Sequence, residues 1–291
     1  MKTLDRSDIP EDFTYYRSGS RVFYEYYKKY TKMIVFRIGK WYEFIKAWRI
    51  IGNIYRVNVE KIDQEPTVEM VRKQGIKHGV IWWWPMHKKE KPKGWFRLPT
   101  FLAKENFHSS RSAFSILDRE DYWNKWVPSA RAHRRKVHGL IEKWVLRIEQ
   151  TLDMNVYLEA YKKTKVPDPF KSWLIRWSEG VRDLKLEENT RIYVAYIDNK
   201  LLAAAIFIDE GVTSEYFTSF YAKESHPYHL GIALMDRWFY DSYKKWIKYC
   251  DLDHMHESGQ PTLGNTKGYT KFKESIVDHD VYFHDMWIKF F

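Results

Sequence analysis

Along "IYRVNVEKI" (Ile54 to Ile62) apolar and polar positions alternate with the period of a half-buried strand. "GVIWWW" (Gly79 to Trp84) is an unbroken apolar run, which reads as a fully buried strand ending at Pro85. Before them, Tyr24, Tyr27 and Tyr30 recur at about one-turn intervals and predict a helix. "SAFSILD" predicts a further strand. Asp118 is then expected to start a helix that carries Trp123 and Trp126 on one face, runs through "ARAHRRKVHG" and stops at Gly139.

The second half has a sharper pattern. "IEKWVLRI" (Ile141 to Ile148) predicts a strand, followed by helices at about Asp153–Lys163 and Asp168–Glu179, divided by Pro167 and Pro169. "RIYVAYI", the turn Asp198-Asn199-Lys200 and "LLAAAIFI" predict a hairpin, and "EYFTSFYA" follows the turn Asp209-Glu210-Gly211. Met235, Phe239, Tyr243 and Trp246 mark one face of an amphipathic helix that begins near His229 to Gly231. "KYCDLD" and "VYFHDMWIKFF" read as the closing strands.

Composition narrows the class. A chain of 291 residues suits two domains of ordinary size, and 44% apolar with 18% aromatic residues excludes disorder. No apolar run approaches the ~20 residues of a membrane span, and "MKTLDRSDIPEDF" lacks the apolar core of a signal peptide. Cys250 is the only cysteine, so no intramolecular disulfide forms. These features fit a soluble cytoplasmic protein. Lys plus Arg number 49 against 38 Asp plus Glu, a formal charge of +11. That excess favours a polyanionic partner: nucleic acid, an anionic membrane surface or a phosphorylated substrate. In "YYKKYTK" and "GWFR" basic and aromatic residues interleave, as base stacking would use them or as a core aromatic with a lysine rim would.

The element order of the second half (strand, two helices, three antiparallel strands, helix, strand, helix, strand) looks like the GNAT N-acetyltransferase fold. There the turn before the main helix cradles the donor's pyrophosphate on free backbone N–H groups, where glycine allows close approach. The GNAT loop pattern is Arg or Gln, two residues, Gly, one residue, Gly or Ala. Here Gly231 and Ala233 fit it and Tyr228 departs from it. The resemblance makes Tyr228, Leu230, Gly231, Ile232 and Ala233 the candidate donor-binding residues.

Three larger pieces narrow it. "RSAFSILDREDYWNKWVPSARAHRRKVHG" has a strand ending in Leu117-Asp118 before a helix with a basic cluster, Arg131, Arg134, Arg135 and Lys136. "IYVAYIDNKLLAAAIFI" is a hairpin, and "KYCDLDH…GNTKGYTKFKES" is a strand ending in aspartate, a glycine turn and Phe272-Lys273. Together they resemble the Fem aminoacyltransferases of the FemX and FemAB type, which add amino acids to peptidoglycan precursors.

The resemblance implies an α/β (α+β mixed sheet) chain of tandem GNAT-like domains, residues 1–138 and 139–291, with no coiled-coil arm. It implies attack by an amine on the ester of an aminoacyl-tRNA, with no tightly bound cofactor; on the residues alone, His254 and His256 beside Asp251 and Asp253 are a poor metal signal without further ligands, and no metal is expected. The partners would be tRNA and a phosphorylated cell-wall precursor, met at the anionic inner membrane face. Phe272 and Lys273 would be catalytic, the lysine steadying charge that develops on the carbonyl or the leaving 3′-oxygen. On the residues alone, Lys271 and Lys273 read equally well as surface lysines flanking a core Phe272. Arginines one helical turn apart suit phosphate, or pair with glutamates. Asp251 and Asp253 are candidate general bases or strand-end caps. Two alternative functions stand beside this one: an acyl-CoA-dependent GNAT N-acyltransferase, and an inactive GNAT-like RNA-binding protein.

Overall fold

The computed structural model describes residues 1–38, 42–87, 89–98, 111–162, 168–257, 266–283 and 286–291. The chain begins with β1 (Lys2–Leu4), α1 (Tyr16–Gly19) and α2 (Arg21–Tyr30), and continues through β2 (Ile34–Arg37), β3 (Phe44–Ile51) and β4 (Ile54–Glu60). Next come α3 (Val68–Arg72), β5 (His78–Trp84), β6 (Phe96–Arg97), β7 (Arg111–Ile116) and α4 (Pro128–Glu142). Then follow β8 (Leu146–Thr151), α5 (Met154–Lys162), α6 (Asp168–Asp183), β9 (Thr190–Ile197), β10 (Lys200–Glu210) and β11 (Thr213–Tyr221). The chain closes with α7 (Leu230–Lys244), β12 (Tyr249–His254), α8 (Thr266–Glu274), β13 (His279–Tyr282) and β14 (Trp287–Phe290).

Two compact units result. The N-terminal unit is built from Lys2–Ala113, His254–Thr270 and His279–Phe291, the C-terminal unit from Phe114–Asp253 and Lys271–Asp278. Both follow one plan: a strand, two helices, an antiparallel three-strand meander, a helix, and a strand parallel to the last of the meander. It runs β1-α1-α2-β2-β3-β4-α3-β5 in the first unit and β8-α5-α6-β9-β10-β11-α7-β12 in the second. This is a tandem GNAT-like fold.

In the N-terminal unit the strands order β2-β3-β4-β5-β14-β6. One face of that sheet, with Ile45, Ala47, Val57, Val59, Ile81 and Trp83, packs with Val71, Trp95 and Trp287 into the core. Ser20 caps α2 by accepting the Phe23 amide at 3.2 Å. In the C-terminal unit β12-β11-β10-β9-β8 form the sheet. There α7 packs on it through Trp238 stacked on Phe207 at 4.4 Å, and α6 through Trp177 against Phe217 at 3.9 Å.

Several expected boundaries move. No helix runs from Asp118: Tyr122–Lys125 form only a 3-10 turn. The cause is Pro128, which takes the first position of α4 and holds Val127 extended at φ −61°, ψ 155°. Gly139 does not stop α4, which runs on to Glu142, so the expected strand at Ile141 begins only at Leu146. The closing "VYFHDMWIKFF" is two strands: β13 pairs parallel with β1, and β14 lies between β5 and β6. The division expected between residues 138 and 139 falls inside α4, and the last strands belong with the N-terminal unit. Gly259, Pro261, Gly264 and Asn265, the expected glycine turn, lie outside the described residues.

Candidate active site

The parallel pairing of β11 with β12 lasts three rungs, Thr213 to Tyr249, Ser214 to Cys250 and Glu215 to Asp251. Beyond the last rung the strands part, and Lys273 fills the gap. Its Nζ donates to the Leu252 carbonyl and lies 5.8 Å from the centroid of the Tyr216 ring, one residue past the last rung on each strand. The side chain is buried, whereas Lys271 is exposed, so the triplet divides into one core and one surface lysine.

Phe272 sets the position of that lysine. A Cβ on Gly231 would stand 3.4 Å from two carbons of the Phe272 ring and 3.8 Å from Tyr221. The ring therefore rests on the first turn of α7 and brings together two motifs 41 residues apart in sequence. Toward the start of α8, Tyr269 donates its hydroxyl to the His254 carbonyl at 2.9 Å, and the His256 amide reaches the Thr270 hydroxyl at 2.8 Å. Asp251 and Asp253 are both buried at the end of β12. The Asp251 carboxylate accepts the Asp253 amide at 2.7 Å, and Asp253 sits at φ +59°, which turns the chain off the strand. That bond is the one a strand-end cap would make.

The candidate donor loop is a 3-10 turn, Lys223–Tyr228, followed by His229 at φ +53° and the start of α7. Leu230, Ile232 and Ala233 are buried core residues, and Tyr228 is half-buried. His229 stacks on His133 of α4 with ring centroids 3.9 Å apart and planes 12° apart. Burial, with the charges of His133, Lys136 and His226, lowers the pKa of His229 below its ordinary value.

The basic cluster of α4 splits in two. Arg134 is committed to the protein: its Nε meets Asp236 Oδ1 at 2.6 Å and its guanidinium lies 3.9 Å from the centroid of Trp123. Asp236 also accepts His138 Nε2 and the Tyr122 hydroxyl, each at 2.8 Å. Burial is the largest influence on Asp236 and pushes its pKa up. Hydrogen bonds from His138 and Arg134, the Arg134 charge and the Tyr122 hydroxyl outweigh it and hold the carboxyl below its ordinary value. Arg131 is half-buried and Arg135 and Lys136 are exposed, and no ion pair ties them among the described residues. The sequence reading missed Asp236, His133 and His138. The available signal was spacing, since Arg134 and His138 lie one turn apart on α4.

Beside this network a cavity of about 940 Å³ opens, lined among others by Trp123, His138, Trp144, Tyr196 and Tyr240. It lies toward the β8 edge of the sheet, three strands from the β11–β12 gap. Among the described residues no group of three or more His, Cys, Asp or Glu is placed to hold a metal, and no helix is long and apolar enough to cross a membrane.

No family model matches the chain, and no curated protein matches it. Solved structures do. The crystal structure of FemX superimposes with a TM-score of 0.69 at 10% identity, covering 93% of this chain and 91% of that one. A conserved protein of unknown function from Bacteroides thetaiotaomicron VPI-5482 gives a TM-score of 0.52 at 6% identity, covering 85% and 82%. At such identities the likeness is one of fold, and the chain has a FemX-like tandem GNAT fold.

Proposed function

We propose that this protein is an acyltransferase that joins the acyl group of an aminoacyl-tRNA to an amine of a peptidoglycan precursor, in the cytoplasm. The observation that carries the reading is the buried Lys273 side chain at the parting of β11 and β12, with Phe272 beside it on Gly231. The amine nitrogen attacks the ester carbonyl carbon, the bond to the tRNA 3′-oxygen breaks, and the proton lost by the amine is matched by the one the leaving oxygen gains. A fixed cation at this point stabilises negative charge on the carbonyl or leaving oxygen. Arg131, Arg135 and Lys136 offer phosphate contacts to the donor or to a diphosphate-bearing acceptor.

A tRNA-linked donor is favoured over coenzyme A by the surroundings of Gly231. The close approach that a pyrophosphate would need there is taken by the rings of Phe272 and Tyr221, and Tyr228 replaces the leading Arg or Gln.

The test is amide formation from a pool of charged tRNA with a nucleotide-linked muramyl peptide as acceptor. Lys273→Met keeps the apolar stem and is expected to lower kcat by about 10²–10³, while the melt stays cooperative and the lost bond to the Leu252 carbonyl costs about 1–3 kcal/mol of stability. Full activity in that variant would remove the role given to Lys273. Calorimetric titration with acetyl-CoA is expected to show no binding. Micromolar binding would move the protein to the CoA-dependent branch, and tRNA binding without any transfer would leave an RNA-binding protein.

A further inference from the structure

The β3–β4 hairpin of the N-terminal unit closes through a two-residue turn, Gly52–Asn53, with Gly52 at φ +50°. Such tips in water are ordinarily polar. Here Ile50, Ile51 and Ile54 flank the turn, exposed to 55%, 69% and 47%. Ile51 and Ile54 pair across the strands, and Ile50 is the extra residue of a β-bulge between the pairs Arg49–Tyr55 and Ile51–Ile54. None of the three belongs to the core of the unit.

Immediately behind the tip the chemistry changes. Arg49 lies over the Tyr55 ring at 5.8 Å and donates to its hydroxyl at 3.4 Å. On the next rung Arg56 lies over Trp48 at 5.3 Å and over Trp82 at 3.8 Å. Successive rungs point to opposite faces, so an arginine resting on aromatic rings stands on each face of the hairpin. At the same end of the sheet, Ile54 pairs with the exposed His78, next to the exposed Lys77. Phe290, paired with Val80, is 68% exposed there too.

An apolar tip backed by indole, phenol and guanidinium groups matches the layers of a bilayer surface. Aliphatic side chains seat at the acyl boundary, aromatic rings at the headgroup level and cations at the phosphates. We propose that the β3–β4 hairpin is a membrane-insertion element that seats the N-terminal unit on an anionic bilayer. Ile50, Ile51 and Ile54 enter the acyl boundary, and Arg49 and Arg56 hold lipid phosphates. The charge of +11 draws the protein to such a surface, and the isoleucines fix which part of it enters. The inference stands independently of the acyl-transfer reading.

The experiment uses the full chain with vesicles of phosphatidylcholine, with and without phosphatidylglycerol. Sedimentation is expected to show binding to the anionic vesicles, weakened at least about tenfold in an Ile50→Ser, Ile51→Ser, Ile54→Ser variant. Circular dichroism melts should leave that variant unchanged, since the sites are exposed. Cys250 is buried and is the only cysteine, so Ile51→Cys introduces one exposed thiol for a polarity-sensitive dye. Its emission is expected to shift to the blue when anionic vesicles are added. Binding without a shift, or equal binding by the triple serine variant, would overturn the proposal in favour of adsorption by net charge alone. Absence of lipid binding, with a concentration-dependent dimer that the serine variant abolishes, would overturn it in favour of self-association.

Discussion

Asp236 shows how one residue decides what its neighbours are free to do. Three donors converge on its carboxylate, and one of them is Arg134, a residue that the sequence pattern groups with phosphate binders. Removing Arg134 leaves a buried carboxylate short of its strongest partner, and Arg134→Ala is expected to cost about 3 kcal/mol in a denaturant melt. Arg135→Ala, on the exposed side of α4, is expected to stay within about 0.5 kcal/mol of the parent. On the proposed acyl-transfer reading it should instead lower the salt dependence of tRNA binding, with a log–log slope smaller by about one. The reverse pattern, in which Arg134 governs binding and Arg135 stability, would contradict the assignment. Lys273 makes the same point: its neighbour Lys271 has identical chemistry, and burial alone separates them.

At the scale of elements, α7 begins on a left-handed histidine that stacks against α4. The folded state holds the pKa of His229 below its ordinary value of 6.5, so the unfolded chain binds the proton more readily. The stabilising contribution is therefore present at neutral pH and is lost as pH falls below about 6.5. His229→Asn keeps a residue that tolerates the left-handed conformation while removing the titration. Thermal midpoints of this variant are expected to fall less steeply than those of the parent as pH drops through that range. Equal slopes would mean that the stacked pair contributes nothing to acid sensitivity.

For the whole molecule, the path of the chain matters more than any local motif. The last strand returns to the N-terminal unit, where β14 lies between β5 and β6 and Trp287 joins the core. Trp287→Ala is expected to cost about 3–5 kcal/mol. Ending the chain at Met286 should abolish the cooperative denaturant transition of the N-terminal unit. A truncated chain that melts like the parent would show that the sheet does not need its returning strand. The order of elements repeats in the two units, but α3 has only five residues where α7 has fifteen, and β1 pairs with β13 where β8 pairs with the meander strand β9.

Periodicity and turn chemistry in the sequence determined most of the elements of the C-terminal unit: the β9–β10 hairpin, the start of α7, and β12. Each is signalled within its own window of residues, because a strand's alternation or a helix's apolar face is a local property. The sequence also carried Phe272 and Lys273 through their resemblance to a family motif. Other features depended on partners distant in the chain. Lys273 is buried where its Nζ reaches the Leu252 carbonyl just past the last β11–β12 rung, Arg134 is neutralised by a residue 102 positions away, and the closing strand divides because its halves pair with β1 and β5. Burial and charge pairing are properties of the packed molecule, so only the tertiary structure decided them.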